Sequence, residues 1–85
     1  MIRVVIEMEI RTPYNKSFGT IVEFCSVWDS VVLSGGMNKK YAKISLPLKY
    51  FKKIMGANPK VGKYKVPNGM EKFIKTFEVK ETIAK

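Results

Sequence analysis

Positions 2–11 alternate without a break. Ile2, Val4, Ile6, Met8 and Ile10 fall on one face, and Arg3, Val5, Glu7, Glu9 and Arg11 on the other. A period of two held over that length predicts a half-buried β-strand. Thr12 to Gly19 contains Pro13, Asn15, Ser17 and Gly19 and is expected as a loop. Residues 20–27 are rich in β-branched and aromatic side chains (Ile21, Val22, Phe24, Val27) and predict a second strand, interrupted at Trp28-Asp29. Ser30–Ser34, around Val31, Val32 and Leu33, continues as a third extended piece. Gly35-Gly36 marks a hairpin turn or bulge. The strand after it, 40–46, sets Tyr41, Lys43 and Ser45 against Ala42, Ile44 and Leu46.

The period then changes. Leu48, Phe51, Ile54 and Met55 recur at helical spacing, Pro47 suits a helix start and Gly56 a helix stop. A helix over about 47–55 follows, with Lys49 and Lys53 pointing away from its apolar stripe. Residues 57–62 read as a loop and Lys63–Val66 as a short strand ended by Pro67. Asn68 with Glu71 three residues on matches a capping box, so a helical turn is expected at 69–74. A last strand covers 75–83, with Phe77, Val79, Glu81 and Ile83 on one face and Thr76, Glu78, Lys80 and Thr82 on the other. The expected fold is a single, mainly β (α+β) domain with one covering helix. It takes one of two forms, a small five-stranded OB-like barrel or a twisted antiparallel sheet.

Composition narrows the chemistry. The chain has 85 residues, enough for one domain with a thin core. It has no histidine and one cysteine, Cys25. An intramolecular disulfide, a Cys–His nucleophile and a zinc site of clustered cysteines are therefore excluded. Glu7 and Glu9 share the polar face of a strand. Glu78 would join them if the first and last strands pair, with Lys80 and Arg3 neutralising the group. No catalytic residue, metal ligand or cofactor is expected, and Cys25 reads as a small buried apolar side chain. The longest uncharged run, Ser30–Asn38, falls short of the roughly 20 residues of a membrane helix. Charges at positions 3, 7, 9 and 11 leave no apolar signal segment. The expected setting is intracellular and cytoplasmic, with no membrane partner.

The placement of charge changes the picture most. The net charge is +9, and no acidic residue occurs from Ser30 to Met70. That segment holds nine lysines, whereas the remainder of the chain is neutral. Like charges at such density repel one another, and a polyanionic partner would relieve the repulsion. Tyr41 and Lys43, two apart on a strand, place an aromatic ring beside an ammonium group, the smallest unit that stacks a base and neutralises its phosphate. Lys39, Lys40, Lys49, Tyr50, Lys53, Lys60, Lys63 and Lys65 extend the candidate surface. Trp28 is expected in the core or at its rim, with stacking as its second role. In Pro59-Lys60-Val61-Gly62-Lys63-Tyr64-Lys65-Val66, and in its opening Met1-Ile2-Arg3-Val4, the chain resembles small filamentous-phage single-stranded-DNA-binding proteins. It departs from them by one extra residue in that stretch and by the helix at 47–55.

The function expected is binding of nucleic acid, single-stranded and with weak sequence preference, since the use of lysine over arginine argues against bidentate base readout, which arginine does best. The alternative is a protein-interaction or inhibitor module that docks its basic face on an acidic protein. A second copy of the chain is a further candidate partner, because a small sheet with exposed edges gains from pairing. In all of these readings the lysines of 39–65 are expected to form one contiguous face.

Overall fold

In a computed structural model, which describes residues 2–84, the alternating first segment is strand β1 (Ile2–Ile10). Helix α1 (Tyr14–Cys25) follows, then a 3₁₀ turn over Ser26–Trp28 and strand β2 (Val31–Ser34). Strand β3 (Tyr41–Pro47) runs directly into helix α2 (Leu48–Met55). Strands β4 (Gly62–Tyr64) and β5 (Ile74–Ala84) complete the fold. The five strands form one antiparallel sheet in the order β2-β3-β1-β5-β4. Strands β1 and β2, joined through α1, run parallel with β3 inserted between them, a split βαβ arrangement. The sheet is not closed: β2 and β4 are its free edges. Of the two forms expected, the structure has the open sheet.

Both helices lie on one face. Val4, Ile6, Met8 and Ile10 of β1, Ala42, Ile44 and Leu46 of β3, and Ile74, Phe77 and Val79 of β5 are buried there. Ile21 and Cys25 of α1 and Phe51 of α2 cover them, and Met70 closes the end. Phe51 is fully buried, and its ring meets Tyr64 of β4 edge-on with centroids 5.6 Å apart. The stripe read for the second helix is therefore correct, with Pro47 standing before the helix in extended conformation. Gly56 ends that helix at φ 71°, where its N–H donates to the Lys52 carbonyl.

The loop expected at 12–19 and the strand expected at 20–27 are replaced by α1. The physical reason is a face that β-propensity hides. Ser17, Ile21 and Cys25 recur every four residues and are all buried against the sheet. Gly19, Thr20, Ile21 and Val22 are weak helix formers, so this helix depends on packing rather than on propensity. One covering helix thus becomes two. Residues 68–73 form successive turns, in which the Phe73 and Ile74 N–H groups both donate to the Met70 carbonyl, the i→i+3 and i→i+4 bonds of a single helical turn within the expected 69–74.

Strand β5 departs from simple alternation in two places. Val5 pairs with Glu81 but Ile6 with Val79, so Lys80 is an extra residue; Glu9 pairs with Thr76 but Ile10 with Ile74, so Lys75 is another. Each is a β-bulge. The first moves Glu81 and Ile83 to the open face, opposite Val5 and Arg3, and away from the face of Phe77 and Val79 where strict alternation would put them.

Phe51→Ala empties the point where α2, β1, β3 and β4 meet. The expected loss is about 3–5 kcal/mol of unfolding free energy, measured by denaturant titration. An equivalent loss in Tyr50→Ala would refute this account, since Tyr50 is only half-buried.

Candidate functional site

One row of side chains organises the uncovered face of the sheet. Ser34, Lys43, Glu7, Glu78 and Lys63 occupy matched positions across all five strands. Glu7 and Glu78 stand directly opposite one another, an unfavourable pairing by itself. Lys80, extruded by its bulge, answers it: its ammonium lies 3.5 Å from the Glu7 carboxylate and 3.4 Å from that of Glu78. Glu7 first, and Glu78 second, hold the Lys80 pKa above the ordinary lysine value. The other bulge residue, Lys75, lies 3.7 Å from Glu9, which Lys40 also approaches to 3.8 Å. The first and last strands do pair and bring Glu78 to Glu7, with Lys80 as the neutralising group. Arg3 turns elsewhere. It donates to the Ser45 side chain and carbonyl and, at 3.0 Å, to the Asp29 carbonyl, tying the entrance of β2 to β1.

The ten candidate residues divide between the two layers. Lys43 and Lys63 belong to the open sheet face, and Tyr41 lies on that face opposite Glu9. Lys40 reaches the same face, with its ammonium 5.7 Å from the Tyr41 ring centroid. Lys39 is exposed in the β2–β3 connection beside it. These cations are interleaved with Glu7, Glu9 and Glu78, so that face is mixed in sign.

Lys49 and Lys53 lie on the opposite side, directly away from Phe51 on α2. Tyr50 flanks them, half-buried, with the Lys49 ammonium 5.1 Å from its ring centroid. The Tyr64 hydroxyl accepts the Lys60 N–H at 2.7 Å, which fixes the loop after α2 close to Phe51. Lys65 lines a shallow hollow with Ile54 and Met55 at the C-terminal end of α2. Lys52, outside the candidate set, completes this group from the last turn of the helix. Among the described residues, none of Lys49, Lys52, Lys53, Lys60 and Lys65 lies within ion-pair distance of a carboxylate. The single contiguous lysine face is thereby corrected. Strand alternation turns Lys43 to one side of the two-layer molecule, and the helical stripe turns Lys49 and Lys53 to the other.

Comparison with protein-family models, with curated proteins and with solved structures finds no match.

Two further features stand outside the predicted surface. An apolar cleft of about 110 Å³ lies between α1 and the sheet, walled by Met8, Phe18, Ile21, Cys25, Ala42 and Ile44. Its exposed lining residues, Val22, Ser26 and Val32, place its mouth beside β2. Beyond the mouth, Val31, Val32 and Leu33 are all about half exposed. The uncharged run Ser30–Asn38 was the sequence signal for this surface. Trp28 is half-buried against the core and stacks edge-on with Phe24 at 5.0 Å, a rim position. No helix among the described residues is long and apolar enough to cross a membrane.

Burial pushes the Cys25 thiol from its ordinary 9.0 up to about 12. Below 9.0 the thiol is protonated in the folded and unfolded chains alike. Between the two values the unfolded chain releases the proton and the folded chain keeps it, so stability falls as pH rises through that window. Cys25→Ala is expected to flatten this part of the alkaline stability profile, and the native thiol is expected to resist alkylation at neutral pH. Rapid alkylation of the folded protein at pH 7 would contradict both.

Proposed function

We propose that the protein is a small nucleic-acid-binding module, and not an enzyme, that takes a single strand with little sequence preference. The observation that carries this reading is the group of five lysines, Lys49, Lys52, Lys53, Lys60 and Lys65, none of them within ion-pair distance of a carboxylate among the described residues. Phosphates are the complementary ligand, because each ammonium group can replace a condensed counterion on a polynucleotide. Lysine meets phosphate as a point charge, without the rigid fork that makes arginine the better base reader, which accords with weak selectivity. The role expected of Tyr41 changes in weight. Its ring lies among Glu9, Lys40 and Lys43 on the mixed face, so stacking there would be an accessory contact for a strand passing from the helix side around the sheet. The buried lone thiol is compatible with the intracellular, reducing setting that such a module would occupy.

A second reading rests on a specific feature of the same surface. Its rings, Tyr50 beneath Lys49 and Tyr64 beside Lys60, are both half-buried. Five cations without an exposed aromatic also suit an acidic protein face, where no base needs to be stacked.

Anisotropy titration of a mixed-sequence single-stranded oligonucleotide at several salt concentrations separates these readings. With all five lysines engaged, the log–log salt slope is expected near −3.5, from about 0.7 counterions per contact. Lys49→Ala/Lys53→Ala should reduce the magnitude of that slope by about 1.4. Lys43→Ala should change it little. Tyr41→Ala should weaken binding by about 1–3 kcal/mol only if the sheet face stacks a base. Absence of binding at low salt would overturn the nucleic-acid reading and leave the acidic-protein one. A slope that responds to Lys43 but not to Lys49 and Lys53 would move the site to the sheet.

A further inference from the structure

Strand β2 is a free edge of the sheet, and its surroundings are apolar. Val27 is 70% exposed, Met37 61%, Val31 51% and Leu33 50%, with Val32 and Phe24 close behind. Together they run from the end of α1, across the mouth of the cleft, to the β2–β3 connection. Free edges attract other strands unless they are blunted. The opposite edge is blunted: β4 has three residues, carries Lys63 at its centre and is flanked by Lys60 and Lys65. Strand β2 carries no charge and no proline, and its one irregularity is the bulge that leaves Leu33 unpaired with β3.

We propose that β2 is a self-association edge, where a second copy of this chain adds its own β2 antiparallel and joins the two sheets. Charge selects this occupant. In a chain of net charge +9, two copies meeting through their lysine surfaces repel, whereas residues 30–38 hold no ionisable side chain. The two ends of the edge also differ in sign. Asp29, exposed and in left-handed conformation at φ 53°, precedes the strand. Lys39 follows it and folds back, donating its N–H to the Gly36 carbonyl at 3.1 Å. Antiparallel pairing about a two-fold axis at the middle of β2 brings Asp29, before the strand of each copy, to the turn that follows the strand of the other, and so beside the other's Lys39. The ion pair forms twice, once at each end. Parallel pairing would oppose Asp29 to Asp29 instead. The same contact covers the cleft mouth and leaves the lysines of α2 outside the interface. This inference is independent of the nucleic-acid reading.

The test uses the full chain, treated with nuclease and free of nucleic acid by its absorbance ratio. Sedimentation equilibrium should give twice the 9.7 kDa chain mass at high concentration. Val31→Lys/Leu33→Lys alters exposed side chains only and should yield a folded monomer by circular dichroism. Asp29→Lys alone and Lys39→Asp alone should each weaken the dimer, and an equimolar mixture of the two should restore it. Amide hydrogen exchange of the unmutated chain should slow at residues 31–34 as protein concentration rises, a readout that does not depend on any variant folding. Monomer mass at every concentration, a dimer unaffected by Val31→Lys/Leu33→Lys, or exchange at 31–34 independent of concentration would each overturn the proposal. None of these outcomes bears on oligonucleotide affinity, which is measured separately.

Discussion

The double pairing of β1 is the constraint from which the rest follows. It is the central strand, hydrogen-bonded to β3 on one side and β5 on the other over nearly its whole length. Its even-numbered residues from Val4 to Ile10 must then be covered, and α1 and α2 supply that cover from one side only. The odd-numbered residues face outward at the middle of the sheet. Even there, Val5 is buried, since Ser45, Glu81 and the Arg3 side chain crowd its position. The long-range pairings bring together residues from both ends of the chain, so the charge pattern of the surface is set by register rather than by neighbouring sequence.

That register divides the lysines into two populations. On the sheet, cations alternate with glutamates, and two of them are delivered by bulges to the carboxylates they neutralise. Exposed pairs of this kind contribute little stability individually. Their effect is to cancel the field of the open face. On the helix layer no such cancellation occurs, and Lys52 and Lys53 also sit at the favourable, negative end of the α2 dipole. The helix end therefore tolerates a concentration of charge that the sheet face neutralises.

Helix α1 shows how local preference gives way. Its Ile21-Val22 pair and aromatic Phe24 favour an extended chain, and Gly19 weakens a helix by about 1 kcal/mol relative to alanine. Burying Ser17, Ile21 and Cys25 on the sheet outweighs this. The packing is incomplete, as the cleft beneath the helix records, and the apolar side chains that face outward gather at the β2 edge.

The sequence alone determined the elements whose periodicity is unambiguous: the alternating β1, the two faces of β3, the stripe of α2 and the turn at Gly35. It also determined that the chain has no histidine chemistry and no disulfide within itself, and that lysine is concentrated between 39 and 65. A period of two or of 3.6 is a local property, legible wherever one face is wholly apolar. Tertiary structure decided what no local window contains. It made residues 14–25 a helix because a bare sheet needed covering, and it inserted β3 between β1 and β2. Two single-residue shifts in β5 brought Lys80 between Glu7 and Glu78 and Lys75 to Glu9. The candidate surface was legible as composition but not as geometry. Whether Lys43 and Lys53 share a side depends on which way a strand and the helix after it face, and that is settled only when both pack on the same core.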